Sequence, residues 1–224
     1  MVAFCASAIQ ARVARLIKLD VCGNPVTGAS SAVVTTDGFI SIQPNPQYLD
    51  GEEHQQRKAN GALCLYQKDP SELTRVELAI NWCVMDPDAL VIITGERLLS
   101  TSVTGTGVAY GEGQLTARYS LEVWQPIVGA GACDASGNQQ FLYWAFPNVG
   151  NSKVNQFSLE NAPLQFSTTS ETMKVGSRWG DGPGSAGPWA PLLAGAVFDA
   201  SEHFLHNVTS VAPPVASCGA VLLT

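Results

Sequence analysis

The sequence predicts a mainly β fold, a sandwich or open barrel carrying one short α-helix. Three observations point there. Two long runs alternate strictly between apolar and polar residues. Asp-Gly and Asn-Gly pairs punctuate apolar runs, as tight β-turns require. One segment alone carries helix start and stop signals at a plausible spacing.

Taken in chain order, Ser31–Gln43 reads as a hairpin. Ala32-Val33-Val34-Thr35-Thr36 and Phe39-Ile40-Ser41-Ile42 flank Asp37-Gly38, a pair that tolerates the φ > 0 of a two-residue turn. Asn60-Gly61 supplies a second turn between the polar stretch Glu52–Ala59 and an apolar strand over 62–67. From Thr74 to Cys83, Val76, Leu78, Ile80 and Trp82 share one face, and Arg75, Glu77, Ala79 and Asn81 the other. That is the pattern of a strand buried on one side.

The helix follows. Asp86 is placed to cap it, Pro87 occupies the first helical position, where a missing N–H costs nothing, and Gly95 ends it. Between them Ala89-Leu90-Val91-Ile92-Ile93 is apolar nearly all round, which predicts a short, well-covered helix. Over Thr116–Gln125 alternation resumes, with Ala117, Tyr119, Leu121 and Val123 opposite Thr116, Arg118, Ser120 and Glu122. Further strands are expected over 139–146, 154–159 and 164–169. Gly105–Gly111 reads as a loop. Arg178–Trp189 is a Gly/Pro-rich loop bearing Trp179 and Trp189, and the stretch after Asp199, with Pro213-Pro214, reads as an extended arm.

Composition narrows the function. The chain has 224 residues, 46% of them hydrophobic and only 14% charged. Soluble domains usually carry about 25% charged residues, so some surface here is expected to be covered by neighbours. A chain of this size buries enough surface to fold without a metal or disulfide staple. The net charge of −7 disfavours a protein that grips nucleic acid, because such affinity comes from Lys and Arg displacing counterions on phosphates. No apolar run reaches the length of a membrane helix, and the opening residues lack the basic start of a signal peptide. The six cysteines are scattered, and reduced thiols are expected, with Cys64 and Cys83 as small hydrophobes inside strands.

Signals for chemistry are weak. There is no GxSxG elbow and no phosphate-binding loop, and Gly105–Gly111 has the wrong spacing for a dinucleotide fingerprint. His203, His206 and Glu202 lie close in sequence, but their neighbours Phe204 and Leu205 point to packing. Paired carboxylates at Glu52-Glu53 and Asp86/Asp88 are accounted for by a polar stretch and by helix capping. No catalytic, cofactor or metal site is assigned, and the chain is not read as an enzyme.

The order of these segments resembles that of the major tail tube proteins of siphophages that infect actinobacteria. The matching pieces are Leu19–Pro25, Asp37–Ile42, Asp50–Glu53, Lys58–Cys64, the strand ending at Cys83, the helix from Asp86 to Gly95, Trp179–Pro183 and His203–Pro214. They span most of the chain; Gly129–Gln140 departs from the pattern. The resemblance implies one tail tube domain over 1–224, with its core over about 12–180, a loop over 176–191 and a C-terminal arm from about 199. It implies a structural virion protein, assembled in the bacterial cytoplasm, whose subunits form hexameric rings closed into one β-barrel and stacked into a tube. Copies of itself, the tape measure protein and the terminator and tip proteins would be its partners, with double-stranded DNA passing non-specifically through the lumen. Closure into a ring would remove aggregation-prone edges, and an acidic lumen would repel phosphate within about 8 Å. Glu77, Asn81, Arg118 and Glu122, on the polar faces of the two alternating strands, become the candidates to line that lumen. Asp50, Glu52, Glu53, Arg57 and Lys58, with Trp179, Trp189 and the N-terminal segment, become candidates for assembly contacts. Another tail component such as a terminator stays open as an alternative. So does a carbohydrate-binding β-sandwich using Trp82, Trp124, Trp144, Trp179 and Trp189.

Overall fold

The computed structural model of the chain describes residues 7–26, 28, 32–101, 105–158, 160–174, 199 and 201–221. In order, the strands are β1 (Ser7–Ala8), β2 (Val13–Leu19), β3 (Val33–Thr36), β4 (Phe39–Leu49), β5 (Glu53–Arg57), β6 (Leu63–Lys68) and β7 (Glu72–Trp82). Helix α1 (Pro87–Thr94) follows, then β8 (Arg97–Thr101), β9 (Gly105–Ala109), β10 (Arg118–Val128), β11 (Phe141–Phe157), β12 (Phe166–Thr172) and β13 (Leu205–Thr209). The fold is mainly β and the pairing antiparallel throughout, as the alternation predicts.

The principal sheet runs β3-β2-β10-β11-β12-β7-β4, with β13 added beside β11 and β1 beside β10. Laid flat, such a path would put its first and last strands about 29 Å apart. Yet β3 and β4 are consecutive, joined by Asp37 and Gly38 alone, a link that spans at most about 11 Å. The sheet therefore curls back on itself. Here the expected hairpin is corrected: Asp37-Gly38 does not pair β3 with β4 but passes the chain from one end of the sheet to the other. β3 pairs with β2 and β4 with β7. Gly38 has no positive φ, and its carbonyl accepts the N–H groups of Cys83 and Val84. It is a corner of the kind by which strands switch layers.

A second corner lies in β11. Its first part pairs with β10 and β13, its last part with β12. Between them Pro147 and Asn148 stand opposite Ser120 alone, a bulge that absorbs the missing proline N–H. The two expected strands over 139–146 and 154–159 are thus one long bent strand. The result is sandwich-like. One layer is β13, the start of β11, β10, β2 and β3; the other is the end of β11, β12, β7 and β4.

The core fills the space between the layers. Leu16, Val34, Val76, Leu78, Ile80, Tyr119, Leu121, Phe146 and Val149 are buried there, with Leu90, Ile92 and Ile93 of α1 against them. The helix is built as its sequence predicts. Asp86 accepts the N–H groups of Asp88 and Ala89, and Gly95 closes it at φ 77°. The inner face of β12 carries hydroxyls, each with a partner: Thr168 accepts from the Trp82 indole (3.0 Å), Ser170 from Tyr119 (2.9 Å) and Thr172 from the Val76 N–H (2.8 Å). Burial pushes the Tyr119 phenol up to about 12, against its bond to Ser170.

The C-terminal stretch folds back on its own body. β13 joins β11, and Val221 bridges to Val33 along the outer edge of β3. Gly219 and Ala220 donate their N–H groups to Asp86 and Asp88 at the head of α1, each at 3.0 Å.

Candidate functional site

Two surfaces stand out, and β7 serves both. Its inner face is sealed in the core. Its outer face, with those of β4, β12 and the end of β11, forms a broad polar surface. Register sets its rows: Lys153–Thr169–Ala79–Gln43, then Glu171–Glu77–Asn45, then Ser167–Asn81–Ser41. A groove of about 540 Å³ crosses it, lined by Gln43, Asn45, Glu77, Asn151, Lys153 and Thr169 among others. The charges on this face are of both signs, Arg75 and Lys153 beside Glu77 and Glu171. Arg75 lies 3.4 Å from Glu77 and 3.6 Å from Glu171, so two carboxylates share one guanidinium. Apart from Lys153 in the groove, the other polar groups are amides and hydroxyls, as in the Asn81–Ser41 (2.8 Å) and Asn155–Ser167 (3.2 Å) pairs. Such a face stays wet and offers phosphates little to hold.

The second surface is an arm. β4 and β7 pair from Phe39 opposite Trp82 out to Leu49 opposite Glu72, and beyond them β5 and β6 form a separate two-stranded sheet. Gly51 is needed at the junction: a side chain there would strike the Asp69 carbonyl, only 1.9 Å from where its Cβ would sit. Every residue of β5 and β6 is exposed. Among them are Leu63 (50%), Leu65 (51%) and Tyr66 (54%), with Tyr48 and Leu49 at the arm's base also open. The polar stretch Glu52–Ala59 supplies β5. A turn does fall at Asn60-Gly61, but of another kind than the pair predicts: only Gly61 has a positive φ (80°), and its N–H closes onto the Lys58 carbonyl.

The four lumen candidates separate. Glu77 and Asn81 sit together on the polar outer face of β7. Arg118 lies away from it at the start of β10, donating to the Val21 carbonyl at 3.1 Å. Glu122 is a correction: it is wholly buried. The outer face of β10 belongs to a second buried cluster, formed with its neighbours in the same layer by Ile17, Val33, Trp124, Tyr143 and Ala145. Within that cluster Glu122 binds the Arg15 guanidinium through Nε and through Nη2 (2.6 Å), and accepts from the Tyr143 hydroxyl (2.6 Å). Arg15 also stacks over Trp124, 5.4 Å from the ring centroid. Burial works against the charge on Arg15, and the adjoining Glu122 carboxylate outweighs it. Burial, then Glu122, pushes the Tyr143 phenol well up. Sequence offered one hint, an arginine and a glutamate on separate strands; nothing local says that they meet.

Asp50, Glu52, Glu53, Arg57 and Lys58 are all exposed on the arm or at its base. Trp179 and Trp189 lie outside the described residues. The expected small-hydrophobe roles of Cys64 and Cys83 are corrected, since both are exposed, free thiols, Cys64 on the arm and Cys83 just past the end of β7. The Gly105–Gly111 loop is in part strand β9.

Other chemistry gains nothing. His203 bonds Thr172 at 2.9 Å, His206 packs on Trp144, and Glu202 accepts the Asp199 N–H, so the three do not converge. Among the described residues no cluster of His, Cys, Asp or Glu suits a metal, and no helix is long and apolar enough to cross a membrane. Trp82 and Trp124 are buried and Trp144 is flanked by Phe204 and His206, so no described tryptophan stands fully open as a sugar platform.

Comparison with models of known protein families and with curated proteins finds no match.

Proposed function

We propose that this chain is the subunit of a phage tail tube, a structural virion protein forming hexameric rings that stack into a conduit for DNA. The observation that carries the reading is the division of labour in β7. One side closes the core, the other belongs to a wet polar face without surplus positive charge, and the same strand runs out into an uncovered arm. In a ring, the polar face lines the channel and DNA slides past it. Glu77 and Asn81 are its lumen residues in this reading. The arm, with its exposed leucines and tyrosine, reaches a neighbouring subunit. Burying each half-exposed side chain there contributes about 1 kcal/mol, so several together hold copies of a charge-poor chain in contact. The tape measure protein and the terminator and tip proteins are the partners at the lumen and the tube ends. No step of this function requires bond chemistry.

Electron microscopy of the purified full chain tests the proposal. Tubes or stacked rings are expected. Closed single rings would point to a terminator, and monomers at every concentration would remove the reading.

A further inference from the structure

The principal path of the sheet ends at β3 on one side and at β4 on the other, and its two ends are closed by different means. At β4 the means is covalent, since Pro44 and Pro46 have no N–H to offer along the free edge. At β3 it is a strap of the chain's own C-terminal stretch, residues 217–221. The Ser217 N–H donates to the Thr35 carbonyl at 3.0 Å, and Val221 exchanges two bonds with Val33, at 3.2 and 2.8 Å. Between these points Gly219, at φ 83°, turns the strap off the edge. Its N–H and that of Ala220 meet the Asp86 and Asp88 carboxylates instead, each at 3.0 Å.

Hydrogen bonds hold the strap, with little burial behind them. None of residues 210–221 is buried; Val215 is 89% exposed and Val221 50%. Ala220 packs against the core from a half-exposed position. Release strands no charge, because Asp86 and Asp88 are themselves half-exposed and Asp86 keeps the N–H groups of Asp88 and Ala89 on its other oxygen. A segment with so few apolar contacts opens before the fold around it does. What it uncovers is the β3 edge: the Val33 N–H and the carbonyls of Val33 and Thr35, an unpaired row of the kind through which copies of a chain join. Prolines close such a row for good; a strap closes it reversibly.

We propose that the strap is a releasable guard on the β3 edge, which keeps copies of this chain from joining there until it lifts. The proposal rests on the reading that the chain assembles with itself, and it adds the contact that holds assembly back.

Two full-length variants loosen the strap and leave the body alone. Gly219→Val sets a β-branched side chain at φ 83°, its Cβ 3.4 Å from Asp88 Oδ2. Val221→Pro removes the N–H that the Val33 carbonyl accepts. Amide hydrogen exchange, followed by NMR on the dispersed chain, compares Val33, whose N–H bonds the strap, with Val34, whose N–H turns the other way, to β2. In the unaltered chain Val33 is expected to exchange at least about tenfold faster than Val34. In both variants Val33 is expected to lose its protection while Val34 keeps its own. Sedimentation velocity over a concentration series is expected to show both variants associating at a lower protein concentration than the unaltered chain. Equal exchange at Val33 and Val34, or loss of both together in the variants, makes the strap a fixed part of the fold and overturns the proposal. Variants that associate no sooner than the unaltered chain overturn it too, and variants that associate later would show a strap that joins copies. If no form of the chain associates, the tube reading falls as well; if the unaltered chain builds tubes and the variants do so no sooner, only the guard falls.

Discussion

Replacing Glu122 by glutamine should destabilise the subunit out of proportion to the one atom changed. Glu122 has no exposed surface, and Arg15 retains only 8% of its own. Both carboxylate oxygens are used, one by Arg15 Nε, the other by Arg15 Nη2 and the Tyr143 hydroxyl. An amide keeps the shape but turns one acceptor into a donor facing a guanidinium, and leaves that guanidinium buried without its counter-charge. Breaking a buried pair in this way costs about 3–5 kcal/mol. For a chain of this length each kcal/mol lowers the melting temperature by about 2–4 °C, so a drop of about 6–20 °C is expected. Urea titration of the dispersed subunit, followed by tryptophan fluorescence, reads the same loss as a lower midpoint with an unchanged slope. The triple change Arg15→Met, Glu122→Leu, Tyr143→Phe should recover most of it, since an apolar replacement of similar volume is often neutral or stabilising. A Glu122→Gln midpoint within about 1 kcal/mol of the unaltered chain would refute the argument, as would a triple variant less stable than the single one.

The outer edge of β4 should owe its restraint to two prolines. The Val76 N–H turns away from β4 to Thr172, so its partner Pro46, and Pro44 two residues before, have their missing donors on the free edge. Restoring both N–H groups with Pro44→Ala/Pro46→Ala is expected to open a ladder to stray strands and to give irregular aggregates by light scattering. A double variant as dispersed as the unaltered chain would count against that role. His203 should make the subunit acid-sensitive. Burial, then the charge of Lys174, lowers its folded pKa, so the unfolded chain takes up a proton that the folded one refuses. The stability is present above the unfolded value near pH 6.5 and is lost as pH falls through the folded one, at no more than about 1.4 kcal/mol per unit. Denaturant titrations at pH 7 and pH 5 are expected to show this slope, and to show less of it in His203→Gln; equal slopes would exclude His203 as the source.

Much of the site was legible where the signal is local. The alternation over 74–83 sorts β7 into an inner and an outer face, so Glu77 and Asn81 are found by period alone. Asn60-Gly61 marks the arm's tip. One local signal occurs twice: Asp20-Val21-Cys22-Gly23-Asn24 and Asp134-Ala135-Ser136-Gly137-Asn138 fold into the same turn. In both, the aspartate accepts from the N–H groups two and four residues on and from the asparagine side chain, and the glycine sits at φ 82°. These bonds, that of Asn24 foremost for Asp20 and that of Asn138 for Asp134, hold both carboxyls below their ordinary range. The repeat of D-x-x-G-N was readable without coordinates, and the second copy falls in the segment where the tail-tube resemblance breaks off.

The sequence by itself determined the alternating strands β7 and β10, where α1 begins and ends, and which residues of those two strands share a side, because all three follow from contacts within a few residues. By contrast β5, β9 and β13, in a polar stretch, a glycine-rich loop and an extended arm, form only where a partner strand lies beside them. Only the tertiary structure decided which strands are neighbours and what covers each side. Asp37-Gly38 has the chemistry of a hairpin turn and yet joins the far ends of a curled sheet, because β2 and β7 compete for the strands on either side of it. Glu122 alternates like a solvent residue and yet lies in the interior, because alternation says that two faces differ and is silent on whether water or another layer lies against them.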